Sequence, residues 1–351
     1  MSLNPNTTSP TPPQCASELQ MFQRNSNVFR ANVLFNFVVE SLTLWASVAF
    51  CLVLYKRSFF SKSCTFLIYV NLIVVNLHQW NYAFIQGWSL QRALVHSDQP
   101  CSIMFTEYEC FQWYTNSIFS RLLLLFMSCA LTLDNFVTLL IPRLTASCGS
   151  GITLSFAAVL AAFAQCLYMT RDGPNSNIQS NCFQRLNRDV GELKMQIYMY
   201  LIVVAVCVVL NAILLVTKYM MSKITKTNYD VNDKIEKKEA VNTAGAISIV
   251  VMCQMIFSTL YTVSVVYLIN NGKDFDPRYL SNFVLWCYTY TLSAFSFPVG
   301  LLLFTRVILN RRRQNIKTMR NQTETIDSHF EKLGKEWGCS PPTRKITPVE
   351  K

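Results

Sequence analysis

Residues 197–220 read IYMYLIVVAVCVVLNAILLVTKYM, and this stretch decides the fold. Its first 21 residues carry no charge, and they are long enough to cross the ~30 Å hydrocarbon core of a bilayer as a helix, which needs roughly 20 apolar residues. A soluble domain has no place for so long a run. Working outward, six further blocks of the same kind appear, at 31–55, 64–85, 110–134, 152–170, 244–269 and 282–305. The blocks are continuous rather than alternating, and about twice the length of a barrel strand, so they are helices. The whole chain agrees with them: 51% of its 351 residues are hydrophobic and only 15% are charged, against ~25% charged in soluble domains. The expected fold is an all-α membrane protein, a bundle of seven transmembrane helices. It divides into a tail at 1–30, the helical domain at 31–305 and a basic tail at 306–351.

Orientation follows from Lys and Arg in the connections, which gather on the cytoplasmic side. With the amino terminus outside, 21 of the 31 basic residues fall on the inner side, nine on the outer side, and Arg121 within a span. The inner set includes Lys56, Lys62, Arg143, Lys223, Lys226, Arg306 and the run Arg311-Arg312-Arg313. The acids split evenly, so the inner face carries the whole formal charge of +11. In a soluble chain such a balance would suggest nucleic acid; here the membrane topology accounts for it, and no nucleic-acid partner is expected. The first 30 residues lack the apolar core of a cleavable signal sequence. Asn6-Thr7-Thr8 fits the glycosylation pattern, usable if the amino-terminal tail is exported.

Four of the thirteen cysteines face outward in this topology: Cys15, Cys101, Cys110 and Cys182. Asp134 marks the inner end of the third helix, and Cys110 lies 24 residues before it. At 1.5 Å per residue this is ~36 Å, which sets Cys110 at the outer mouth of that helix. The expected pairs are Cys110–Cys182 and Cys15–Cys101. The exchanged pairs, Cys101–Cys182 with Cys15–Cys110, satisfy the same compartment rule and stay open, as does an unpaired Cys15.

Ionisable groups inside a bilayer are costly and need an account. Arg121 lies ~16 Å below Cys110, and Glu40, Asn76 and His78 fall at similar depth. Two readings fit. In one, Glu40 neutralises Arg121 through groups of the second helix. In the other, Arg121 receives an anionic group of a ligand in the outer half of the bundle. Tyr114, Ser117 and Arg121 share one helical face, as do Gln254, Ser258 and Tyr261, and Trp286, Tyr290 and Ser293. Converging, these faces would line an aromatic cavity with a few polar contacts, as small-molecule sites do. The structural alternatives are a headgroup belt of aromatics and ordinary interhelical contacts.

An enzyme needs a constellation that the sequence does not offer: no metal-spaced His/Cys cluster, no Gly-rich phosphate loop, no Ser/His/Asp set. No cofactor is expected. A ligand-gated channel or a transporter-like protein is the alternative to a receptor. A transporter favours repeated halves and Gly- or Pro-broken helices, which are missing here, and a seven-span channel with its amino terminus inside runs against the charge count.

Four short segments carry a family resemblance: Cys15-Ala16-Ser17-Glu18, Asn76-Leu77-His78-Gln79, Asp98-Gln99-Pro100-Cys101 and Glu109-Cys110-Phe111. Together they resemble the nematode serpentine receptors of class alpha, over about residues 15–313; the sister alpha/beta class is similar. The resemblance implies a chemosensory receptor in the plasma membrane of sensory neurons, a small-molecule ligand, and signalling to a heterotrimeric G protein. One departure bears on coupling. Such receptors end the third helix with an acid followed by Arg, and this chain has Asp134-Asn135. Asn cannot supply the charge with which that Arg ties the inner helices together and receives the G protein. Asp134, Asn135, Lys223, Lys226, Arg311, Arg312 and Arg313 are the residues expected to face a G protein, the basic ones also lying where anionic lipid would hold them. The seventh span has Phe297-Pro298-Val299-Gly300, in which Pro298 can kink the helix.

Overall fold

Ser17 opens the first helix with a reciprocal cap: its hydroxyl accepts from the Gln20 backbone, and the Gln20 side chain returns a bond to the Ser17 N–H. This short helix, α1 (Glu18–Asn25), leads into the first long one, α2 (Asn27–Lys56). The computed structural model describes residues 15–56, 60–140, 147–174, 178–179, 182, 190–224, 231–271 and 275–336. The remaining helices are α3 (Lys62–Val95), α4 (Glu107–Leu140), α5 (Gly149–Thr170), α6 (Val190–Ile224), α7 (Val231–Asn271), α8 (Pro277–Trp286) and α9 (Tyr290–Glu336). Two short strands, β1 (Phe105–Thr106) and β2 (Ile178–Gln179), pair antiparallel, Phe105 opposite Gln179.

Six of the long helices are apolar enough to cross a membrane. The seventh is α3, which is long enough at 34 residues but carries more polar side chains. It spends them on its neighbours. Asn76 Nδ2 donates to Ser47 Oγ of α2 at 2.9 Å, His78 Nδ1 meets Ser120 Oγ of α4 at 2.9 Å, and Gln79 Nε2 reaches the Thr291 carbonyl of α9 at 3.0 Å. Asn71, His78, Gln79 and Gln86 are all buried. Each bond stabilises by only about 0.6 kcal/mol in a bilayer, but an unmet polar group there would cost more. The chain is a multi-pass helical membrane protein whose most polar span turns its polar face inward.

α4 is the enclosed centre, with 67% of its apolar window covered by protein, against 22% for α6. Ser128 of α4 donates to Gln254 Oε1 of α7 at 2.9 Å, and Asn211 of α6 donates to Thr132 of α4 at 2.8 Å. The outward faces of α5 and α6 are largely apolar: Phe156, Leu160, Phe163, Ile202 and Val209 are exposed, as lipid-facing residues are. Two close approaches need glycine. A Cβ on Gly151 of α5 would stand 2.7 Å from the Ser63 carbonyl oxygen of α3, and one on Gly300 of α9 would stand 2.9 Å from Val250.

Two features depart from the sequence reading. The last span is not one helix over 282–305, because the chain breaks between α8 and α9 at Cys287–Thr289. Thr289 Oγ1 donates to the Phe257 carbonyl of α7 at 2.6 Å, which fixes the break. α9 also runs unbroken past the expected end of that span to Glu336, with Pro298 inside it. The chain divides into two units, with the boundary after Leu302.

Candidate functional site

One end of the bundle is closed by two disulfides, Cys15–Cys101 and Cys110–Cys182, the first of the pairings that the sequence leaves open. β1 and β2 lie beside the second disulfide, and the Ala16 N–H bonds the Pro100 carbonyl at 2.8 Å beside the first. Phe105 is the centre of this cover. The guanidinium carbon of Arg92 stands 4.3 Å from its ring centroid and that of Arg24 stands 5.2 Å away. Arg92 is bonded to the Met104 carbonyl and paired with Glu109 at 2.8 Å. Arg24 is 5% exposed and donates to Ser89 Oγ at 2.6 Å, while its Nε and Nη2 find no acceptor. Burial, and next the Arg92 charge, lower its pKa to about 10.

Beneath this cover lies a nest of tyrosines around Arg121. Arg121 Nε donates to the Ser117 carbonyl at 3.2 Å and Nη1 to the Tyr261 hydroxyl at 3.3 Å. Its guanidinium sits 6.0 Å from the Tyr288 ring centroid, within cation–π range. Tyr288 stacks on Tyr82 at 4.4 Å and meets Tyr261 edge-on at 5.4 Å, and Tyr261 meets Tyr290 at 4.9 Å. The Tyr288 hydroxyl lies 3.5 Å from His78 Nε2. Tyr114 and Tyr200 complete the ring of phenols around Arg121. Among the described residues the ion pairs are Arg92–Glu109 and Arg171–Asp172, so Arg121 has no carboxylate partner.

The expected Glu40–Arg121 neutralisation is therefore not what the structure shows. Both Glu40 carboxylate oxygens are buried without a hydrogen-bond partner, on the α2 side facing α3. Arg121 sits instead among α4, α7 and the α8–α9 joint, because the Ser117 and Tyr261 acceptors hold it there. Of the residues proposed to line a cavity, Tyr114, Ser117, Arg121, Tyr261 and Tyr290 come together. Trp286 does not: the break after it destroys the helical step to Tyr290, and it lies 44% exposed against Phe35, with ring centroids 5.6 Å apart. Gln254 lies seven residues from Tyr261 along α7, in a network with Ser128 and Ser293 rather than at Arg121. Asn76 bonds Ser47 of α2, and His78 joins the tyrosine nest.

Sequence reasoning missed Tyr82, Tyr288 and Arg24. Tyr82 stands one turn after His78 on the same face of α3, a spacing that could have found it. Nothing marks Tyr288, since no glycine or proline signals the break that turns it inward.

At the opposite end, Ser150 of α5 donates to Ser63 Oγ of α3, and Ser63 donates to Asp134 Oδ1 of α4. Asp134 and Asn135 are both buried, at 0% and 3% exposure, so neither presents a docking surface in this conformation. Arg313 is exposed. Asn6 and Lys226 lie outside the described residues, and Lys223, Arg311 and Arg312 lie outside the described side chains.

Residues 11–337 match the family model described as serpentine type 7TM GPCR chemoreceptor Sra. The chain is 29% identical over 318 residues to serpentine receptor class alpha-32 of Caenorhabditis elegans, covering 90% of this chain and 93% of that one. It is 28% identical over 327 residues to serpentine receptor class alpha-10 of the same nematode, covering 92% and 97%. With the class alpha-10 receptor of Caenorhabditis briggsae the identity is 27% over 326 residues, covering 92% and 98%. A seven-helix bundle with a family match running through every one of its helices leaves one assignment: the chain belongs to the Sra family of serpentine seven-helix chemoreceptors.

Proposed function

We propose that this receptor detects a small molecule bearing an acidic group, which pairs with Arg121 inside the tyrosine nest. The observation that carries the reading is a guanidinium deep in a membrane bundle with aromatic neighbours, two protein acceptors and no carboxylate. Such a group costs several kcal/mol unless a partner meets it. A carboxylate offers the bidentate geometry that a guanidinium's fixed fork accepts. The surrounding phenols add apolar faces for the body of the ligand and hydroxyls for its polar edges.

In this reading the disulfide-bonded cover faces the exterior and the basic helix ends face the cytosol, in the plasma membrane of a sensory neuron. The ligand shifts the receptor toward an active bundle by binding that state more tightly. The helix ends at Asp134 and Asn135 then part, and basic residues of the cytosolic side receive a heterotrimeric G protein. Asn135 gives this partner no guanidinium, so the contact relies on the flanking Lys and Arg residues.

The test is a screen of small carboxylic acids, each against its methyl ester, with a calcium readout in cells expressing the full chain at the surface. The reading predicts that acids evoke responses and their esters do not. Responses to esters alone, or G-protein-independent currents, would contradict it.

A further inference from the structure

A second site lies away from Arg121, on the opposite face of α3. A groove of about 720 Å³ runs between α2 and α3, with walls of Leu44, Val48, Ile73, Leu77 and Trp80. These walls look out of the bundle: Leu44 and Leu77 are each 57% exposed and Trp80 is 76% exposed. The groove has the size of a small-molecule site and opens onto the face that lipid covers.

Its floor has an unusual balance of donors and acceptors. Glu40 lines it, is 8% exposed, and has two carboxylate oxygens with no partner. Gln79 lines it too, and its Oε1 is likewise buried and unmet. The Gln79 amide cannot be turned round to help Glu40. Its Nε2 must face the Thr291 carbonyl at 3.0 Å, and it also donates to Thr43 Oγ1 at 3.1 Å. The other nearby donors are spent as well. The Thr43 hydroxyl donates to the Val39 carbonyl, the Ser47 hydroxyl to the Thr43 carbonyl, and Asn76 Nδ2 to Ser47 and the Leu72 carbonyl. Among the described residues, the two Glu40 oxygens and the Gln79 oxygen remain unmet, and the donors just named are all engaged.

We propose that this groove binds a lipophilic primary amine that enters from the bilayer. An ammonium group has three donors and no acceptor, so it meets the two Glu40 oxygens and the Gln79 oxygen together and supplies the charge that a carboxylate pairs with. The alkyl or aryl body then lies along the apolar walls. The Glu40 oxygens are covered by protein in this conformation, and binding turns the side chain toward the groove about its own χ angles. An alcohol satisfies one acceptor and brings no charge. A fatty acid brings the wrong charge.

The experiment uses the purified full chain, disulfides intact, in phosphatidylcholine nanodiscs. The probes are a terminally brominated dodecylamine, and the alcohol and carboxylic acid of the same chain. Bromine quenches nearby indole, and subtracting the Trp80→Phe protein isolates the part of the signal that belongs to the groove. The amine should quench that part saturably, at about a tenfold lower concentration than the alcohol, the ratio expected of one charge-assisted contact. Glu40→Gln, which keeps shape and removes charge, should erase the difference. Equal potency of amine and alcohol on the natural chain would overturn the proposal, whether or not the Gln variant folds. So would an amine preference that survives Glu40→Gln.

Discussion

Tyr82 and Tyr288 stack with ring centroids 4.4 Å apart and planes 15° from parallel, one from the middle of α3 and the other from the joint between α8 and α9. The contact ties the polar central helix to a break in the last span, and it sets the Tyr288 ring under Arg121. Offset aromatic pairs contribute about 0.5–1.5 kcal/mol beyond their buried area. A double-mutant cycle of Tyr82→Leu and Tyr288→Leu, read by thermal unfolding in detergent, should give a coupling energy in that range. Additive effects would mean that the stack is incidental.

Gly151 lets α5 lie directly against the α3 backbone at Ser63, the residue that holds Asp134. A methyl group there meets a carbonyl oxygen, not a flexible side chain, so the helices must part. Gly151→Ala should destabilise the protein by about 1–3 kcal/mol, the usual cost of overpacking. Gly87→Ala is the control, since its Cβ would meet only the Phe37 ring at an ordinary 3.4 Å. Equal melting temperatures for the two variants would contradict the close approach.

Arg24 is buried beside a second guanidinium, and its pKa falls from the ordinary guanidinium value to about 10. The folded state thus binds the proton less well than the unfolded one, and the buried charge opposes folding at neutral pH. Arg24→Met keeps the apolar stem and removes the charge, and should raise the melting temperature by the equivalent of roughly 1–4 kcal/mol. Below about pH 10 Arg24 is charged in both states, so it adds no slope there; its contribution to stability rises only as pH climbs above about 10 toward the ordinary guanidinium range. The difference between the two proteins should be flat from about pH 6 to 9. A lowered melting temperature in Arg24→Met would show that the Phe105 and Ser89 contacts outweigh the buried charge.

Asn6 reports on topology. If the amino terminus is exported, Asn6→Gln removes a glycan, and the shift that glycosidase treatment produces on a gel disappears. An amino-terminal tag should then be reached by antibody on intact cells, and a carboxy-terminal tag only after permeabilisation. Both tags accessible on the same side would contradict seven spans.

The fold was legible because bilayer crossing imposes one requirement, a long apolar run, and seven such runs stand in the chain. The polar α3 was legible as a span for the same reason, even with Asn76, His78 and Gln79 in it. The site was legible only in part. Helical spacing correctly gathers Tyr114, Ser117 and Arg121, since α4 is regular through them. It fails at Trp286, because spacing assumes an unbroken helix and the α8–α9 break is fixed by a tertiary bond from Thr289 to Phe257. The partner of a buried charge is likewise a tertiary matter. Glu40 and Arg121 share a depth in the membrane, yet they face different sides of α3.

Whether Arg121 receives an acid is decided by a concentration–response comparison. With the most active carboxylic acid from the screen, the natural chain, Arg121→Lys and Arg121→Gln are compared at matched surface expression. Loss of a charge-assisted contact of ~1.5–3 kcal/mol shifts a response by about tenfold to a hundredfold. Arg121→Gln should show such a shift, with Arg121→Lys in between because it keeps the charge and loses the fork. Unchanged potency in Arg121→Gln would contradict it.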